Sequence, residues 1–472
     1  MLFNSFEFLW IFPIIFCLYY FVISRQRFIQ TYPQIGNLFL IIISYSLYIK
    51  WKPIFVLVLL WVTAVTYFSA RKIEKDKAFG KSKYLIIAGV LLAILPLLIF
   101  KYYNFVTAQL EFVLGIFGFE PGLPGLNWAM PLGISFFTLQ AVGYLVDVYL
   151  RRIKAEHNWW HYMLFVSFFP QIASGPISKA KDLLPQIKSG RKFNYSQAVQ
   201  GLKWLLWGMF MKVVVADTLG QYIDIVFNDY QGNGGVSLVV ASFFYAFQIY
   251  CDFAGYSFMA VGVGELLGFE LINNFRRPYF SQTVTEFWHR WHISLSIWLK
   301  DYIYIPLGGN RCSRKRNYFN IFITFLISGI WHGANWTFIV WGMLHGLFQV
   351  VEKALGLNKV KSVGIKRFMR IVFTFVLVDF AWIFFRMPSL QDAIGVIEHI
   401  FTHPSTSFGG LAFSLFLTTI VLVKDVADEF DIKELRLLHS KYAVIRWFAY
   451  FFLLSFIAIS GVYGGQFIYS GF

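Results

Sequence analysis

Two histidines stand where an imidazole could do chemistry. His332 lies in the run Ser328-Gly329-Ile330-Trp331-His332-Gly333-Ala334-Asn335-Trp336, and His292 in Phe287-Trp288-His289-Arg290-Trp291-His292-Ile293-Ser294. An imidazole of ordinary pKa, about 6.5, is neutral at physiological pH. It can take the proton of a hydroxyl as that hydroxyl attacks an activated acyl carbon. Trp331 and Trp336 could wall a dry pocket, and Gly329 and Gly333 leave room for a substrate beside the backbone. The competing reading is a core histidine hydrogen-bonded to a neighbouring helix. Residue types alone leave both readings open for His332 and favour the core role for His292. His345, near the end of a span, and His399 and His403, in a loop, read as non-catalytic, and His157 and His161 as interfacial. A metal shared by His289, His292 and His332 would need further ligands. No Cys or carboxylate pair accompanies them, so neither a metal nor a permanently bound cofactor is expected.

Other machinery is missing. The chain has no Walker A loop, no His-Glu-x-x-His and no Gly-x-Ser-x-Gly elbow, and Gly262-Val263-Gly264 lacks the spacing of a dinucleotide fingerprint. Cys17, Cys251 and Cys312 are isolated, so no disulfide framework is implied.

The elements that hold these histidines must live in lipid. Of 472 residues 58% are hydrophobic and only 14% charged, against about 25% charged in soluble domains. Many apolar runs approach the roughly 20 residues that cross a bilayer as helix. The chain therefore reads as an all-α polytopic membrane protein with eleven or more membrane segments, no internal repeat and no soluble domain. A net charge of +16 would suggest nucleic acid in a soluble protein. Here the basic residues sit in short loops, as the positive-inside rule describes, so the partner is the lipid bilayer and no nucleic acid. The dense basic loop Arg71–Lys83 is placed in the cytoplasm together with Arg25 and Arg27, while Lys50 and Lys52 fall on the opposite side. The apolar start reads as a retained first helix and not as a signal peptide.

Several stretches carry more specific expectations. Phe165–Ile177 is too short and too rich in Pro and Gly for a span, and reads as a broken or re-entrant segment lining a cavity. Asp147 reads as an interfacial acid beside Arg151, Arg152 and Lys154, and Asp252 as part of an interior polar surface. Trp288–Leu299 reads as one helix. A helix beginning near Tyr318 would place His332 roughly 21 Å along its axis, deep in the ~30 Å hydrocarbon core.

At these residues the chain resembles the membrane-bound O-acyltransferase (MBOAT) family. The resemblance rests on Phe287-Trp288-x-Arg290-Trp291-His292-Ile293-Ser294-Leu295-Ser296, on Asp301-Tyr302-x-Tyr304-Ile305-Pro306-Leu307-Gly308-Gly309-Asn310, and on Trp331-His332-Gly333-Ala334. Met130-Pro131-Leu132-Gly133-Ile134-Ser135-Phe136-Phe137-Thr138 and Gln171-Ile172-Ala173-Ser174-Gly175-Pro176-Ile177 extend it over most of the chain. The nearest branch is the bacterial one that holds the alginate and peptidoglycan O-acetylation membrane proteins and the teichoic-acid D-alanylation protein.

The resemblance implies a ring of helices around a central tunnel, with His332 as catalytic histidine and His292 as the second histidine of the tunnel. Arg290, Trp291, Asp301, Trp331 and Asn335 become candidates for the tunnel or its donor side, and His289 receives no catalytic role. It further implies acyl transfer from a cytoplasmic thioester, acetyl-CoA, towards an extracellular or cell-wall polysaccharide. A periplasmic or extracellular acyltransferase partner would complete that transfer, and the site would lie in the bacterial cytoplasmic (inner) membrane. Residues 1–472 are expected to form one integral-membrane domain: N-terminal helices 1–129, core motifs 130–350 and C-terminal helices 351–472. The ending Gln466–Phe472 keeps only part of the aromatic-rich tail of the alginate-like proteins. Alternatives are D-alanyl transfer to teichoic acid from a carrier protein, and a non-enzymatic polysaccharide transporter or assembly scaffold.

Overall fold

The computed structural model describes residues 3–23, 33–76, 80–405 and 411–462. Arg25, Arg27 and the ending 466–472 lie outside them, as does part of the basic loop 71–83. The described residues are helical, without strands. The chain begins with α1 (Phe6–Cys17), α2 (Pro33–Trp51), α3 (Phe55–Lys75), α4 (Gly80–Leu97) and α5 (Tyr103–Ile116). Lys50 reaches Glu7 at 2.6 Å, tying the end of α2 to the start of α1. Residues Ser82–Ile116 form one rod of 35 residues. Pro96 lies inside it, followed by the π-helical turn Leu98–Tyr102, a common adjustment where the regular bond ladder is interrupted.

Next come α6 (Ile134–Tyr149), α7 (Trp159–Ser167), α8 (Phe169–Ile172), α9 (Ala180–Lys188), α10 (Tyr195–Met209) and α11 (Asp217–Asn228). The stretch 165–177 is broken as its Pro and Gly content predicts. α7 stops at Ser167, α8 is a single turn, and every residue from Leu164 to Ser178 is buried. Protein groups latch this backbone: Gln171 donates to Gln140 at 3.0 Å, Ser178 donates to Gln171 at 2.8 Å, and the Ile177 amide donates to Ser294 at 3.0 Å. Irregular backbone at membrane depth survives only under such cover.

The spine is α12 (Gly235–Leu266), 32 residues long and buried along most of its length. In lipid, close helix approach depends on small side chains, since burying apolar surface gives little drive there. The acid anticipated at Asp252 meets Lys212 at 2.6 Å, and Lys212 also reaches Asp217 at 2.6 Å. Asp147 lies beside the basic cluster, 3.1 Å from Arg152, and also accepts from Tyr302 at 2.8 Å.

The site segments follow as α13 (Val284–Arg290), α14 (Ile293–Leu299), α15 (Arg314–His332) and α16 (Trp336–Ala354). Then come α17 (Gly364–Arg386), α18 (Leu390–Thr402), α19 (Leu411–Glu429) and α20 (Ala443–Ser460). Among the described residues, six helical segments are long and apolar enough to cross a membrane. α15 and α16 have 19 residues each, roughly 28 Å at 1.5 Å per residue.

Two expectations need correcting. Trp288–Leu299 is not one helix: it breaks at Trp291 and His292, where His292 takes φ +43°. The break holds because Asn274 accepts twice, its carbonyl from Ile293 N and its side chain from Ser294 N, both at 3.0 Å. α15 begins at Arg314, four residues before Tyr318, because Ser313 caps it by accepting from the Arg316 amide.

Candidate active site

Both histidines sit at helix joints. His332 is the last residue of α15, and His292 stands between α13 and α14. They are 1% and 0% exposed. Trp331 touches both rings, with centroids 4.8 Å from His332 and 6.1 Å from His292. Phe136, from the 130–138 motif, spans the same gap: it lies 6.1 Å from His292 and 5.8 Å from Trp331. Three segments far apart in sequence therefore close around one aromatic wall.

The tautomer of His332 follows from one contact. Nδ1 lies 2.7 Å from the carbonyl oxygen of Ser328. A carbonyl can only accept, so Nδ1 carries the proton and the basic lone pair is on Nε2. Trp341 and Phe385 press on the ring at 4.7 and 5.6 Å, which fixes its plane. At His292 neither ring nitrogen has a hydrogen-bond partner among the described residues, and Phe253 meets the ring edge-on at 4.6 Å. Buried nitrogens of this kind call for a polar ligand or ordered water.

The other candidates divide by place. Trp291 is fully buried against Tyr250, Phe275, Phe287 and Trp382, behind His292. Arg290 is fixed in an ion cluster: it reaches Glu429 at 2.8 Å and Glu286 at 2.7 Å, while Arg277 and Arg367 also hold Glu429. Burial opposes its charge, but Glu429 and Glu286 outweigh that and raise its pKa above the ordinary guanidinium value. Asp301 pairs with Lys179, beside a cleft lined by Gln140, Ser178, Lys179, Ser294, Trp298 and Tyr302. Asn335 caps α16, accepting from Thr337 N at 3.1 Å and donating to the Pro388 carbonyl at 2.7 Å. His289 is exposed. His157 pairs with Glu74 at 2.8 Å.

His345 departs from its reading as a residue near a span's end. It is fully buried in the middle of α16, accepts from Trp288 Nε1 at 3.2 Å, and packs on Trp341 at 4.9 Å. Trp341 thus joins His332 to a third imidazole. Sequence reading also passed over Lys101, the only Lys or Arg between Lys83 and Arg151. A lone cation after Pro96, inside a long apolar stretch, was the available signal.

Fold and site describe a multi-pass membrane protein with two buried imidazoles at helix joints. Comparison with known proteins supplies the class. The family model described as "MBOAT, membrane-bound O-acyltransferase family" matches residues 126–391. The probable alginate O-acetylase AlgI of Pseudomonas aeruginosa is 38% identical over 85% of this chain and 75% of its own length. The peptidoglycan O-acetyltransferase of Helicobacter pylori is 33% identical over 84% and 79%. The teichoic acid D-alanyltransferase of Streptococcus thermophilus is 30% identical over 52% of this chain and 62% of its own. The chain belongs to the MBOAT family, in its bacterial O-acetylation branch, and is an acyltransferase.

Proposed function

We propose that the protein moves an acetyl group from a cytoplasmic thioester, acetyl-CoA, through the bacterial inner membrane to a hydroxyl of an extracellular or cell-wall polysaccharide. A partner acyltransferase outside would complete the transfer. The observation that carries this reading is the His332 tautomer, with Nδ1 held by Ser328 and the lone pair on Nε2. As the hydroxyl oxygen bonds to the acyl carbon, Nε2 takes its proton, and the carbon–sulfur bond breaks. The imidazolium then returns the proton to the departing thiolate. Trp331 and Trp341 carry buried indole N–H groups with no partner among the described residues. They are the kind of donor an acyl oxygen needs as it becomes an oxyanion. The cleft beside Asp301 and Lys179, which Ser294 lines two residues from His292, is the proposed donor approach.

The higher identity and wider coverage of the acetylating relatives support acetyl over D-alanyl transfer. The test follows free CoA released from acetyl-CoA by purified protein in nanodiscs, with and without acceptor polymer. His332→Ala runs beside it. Loss of ~10²–10⁴-fold turnover in a folded variant is expected for a general base. Equal turnover in both proteins removes His332 from catalysis. If neither protein turns over, the same pair is compared with a charged carrier protein as donor, the arm that D-alanyl transfer predicts.

A further inference from the structure

The turn that carries His332 is gripped from outside by the rod 82–116. Lys101 Nζ donates to the carbonyl of Trp331 at 2.6 Å and lies 5.6 Å from the centroid of the Trp331 indole. The Tyr102 hydroxyl donates to the carbonyl of Ile330 at 2.7 Å. One and two turns further along the rod, Phe105 packs on Trp336 at 5.9 Å and Gln109 accepts from Trp336 Nε1 at 3.1 Å. Four side chains of one rod therefore hold both ends of the short link between α15 and α16.

The chemistry of a helix end explains why such a grip is needed. The last four carbonyls of a helix have no intrahelical donor, and the C-terminus carries partial negative charge. Water satisfies such groups at a protein surface, but hydrocarbon cannot. Ile330 and Trp331 belong to that last turn of α15, and a cation is the donor that suits it best. The local sequence places the donors. The π-helical turn Leu98–Tyr102 ends in the two adjacent residues that reach the two adjacent carbonyls. Adjacent residues on a regular α-helix point about 100° apart, and π-bulges recur at functional sites.

We propose that Lys101 is a positioning residue for the acyl transfer. With Tyr102, it fixes the C-terminal turn of α15 and so the attitude of the His332 ring. The inference rests on His332 being the base, and its test separates the two. His332 hangs from the clamped turn by its own backbone and by Nδ1 on the Ser328 carbonyl, so a turn released by Lys101 carries the ring with it.

The test uses the full chain in its host, with Lys101→Met, Lys101→Arg, Tyr102→Phe and His332→Ala at equal membrane abundance. Base-labile acetate on the surface polymer is measured in cells, and amide hydrogen exchange is measured on the purified proteins in nanodiscs. A ring displaced by about 1 Å costs up to ~10²-fold in rate. Lys101→Met should therefore lose at least tenfold of the polymer-bound acetate. Lys101→Arg, which keeps charge and donor, should stay within about threefold of wild type. Exchange should quicken at 330–336 in Lys101→Met and, to a smaller degree, in Tyr102→Phe, while α12 is unchanged.

Wild-type acetate in Lys101→Met overturns the proposal. So does an equal loss in Lys101→Met and Lys101→Arg with exchange faster throughout, because that is general unfolding. If Lys101→Met does not assemble, Tyr102→Phe decides: unchanged exchange at 330–336 refutes the clamp. Should His332→Ala keep its acetate, the general-base reading falls, while the exchange data still show whether Lys101 holds the turn.

Discussion

Gly342→Ala is the substitution whose effect on the site can be worked most directly from distances. α15 and α16 cross where Gly329 faces Gly342. A Cβ at Gly342 would lie 2.5 Å from the Phe325 carbonyl oxygen and 2.9 Å from Gly329 Cα, whereas ordinary contact begins at 3.4 Å. Both neighbours are backbone, so no flexible side chain can give way. The helices must part by about 1 Å, against a membrane interface that depends on small residues. Overpacking of this kind costs about 1–3 kcal/mol of stability. His332 lies three residues beyond Gly329, in the turn that must shift. A misplacement of about 1 Å can cost 10²-fold, or about 2.7 kcal/mol of barrier. Gly346→Ala is the matched control on the same helix, because its Cβ would meet Phe322 at 3.2 Å, a gap closed by tenths of an ångström. The assay is polymer-bound acetate at equal membrane abundance, with thermal unfolding followed in detergent. Gly342→Ala should lose 10- to 100-fold of transfer, and Gly346→Ala less than about fivefold. Wild-type transfer in Gly342→Ala, or equal damage from both, would refute the reasoning.

Two further outcomes can be stated. His292→Phe keeps an aromatic ring against Phe136 and Phe253 but removes both nitrogens, so transfer should fall at least tenfold while melting temperature holds; a neutral result would make His292 packing alone. Glu429 has a side chain only 6% exposed and holds three arginines. Glu429→Ala should therefore destabilise by about 3–5 kcal/mol, as when one partner of a buried ion pair is removed. Arg290→Ala leaves two arginines on the carboxylate and should cost less, and the order of the two melting temperatures checks this.

What the sequence made legible was chemistry with a local signature. Apolar runs announced the helices, and Pro170, Gly175 and Pro176 announced the broken segment. His292 and His332 stood out because imidazoles are costly among apolar neighbours. Long-range partners left no such mark. Asn274 supports the break at His292 from eighteen residues upstream, so periodicity read straight through it. Glu429, the carboxylate that fixes Arg290, is 139 residues away. His345 looked peripheral because α16 extends to Ala354, beyond the end of the apolar run. Lys101 was passed over because its partner, the Trp331 carbonyl, is 230 residues away.

The two joints share a physical logic. Each histidine sits where a helix stops, and a helix stop inside a membrane leaves carbonyls and amides that only protein can satisfy. At His292 the answer comes from Asn274, which takes two of the orphan amides of α14's first turn. At His332 it comes from Lys101 and Tyr102, which take two carbonyls of α15's last turn. An imidazole on an unbroken span would have a full turn of helix above and below it. At a joint, backbone turns aside on at least one face of the ring, and the side chains that cap the joint leave those turned peptide groups satisfied. The same devices that make the breaks tolerable in lipid also hold the rings in place, so loss of Lys101 should register in the site before it registers in the fold.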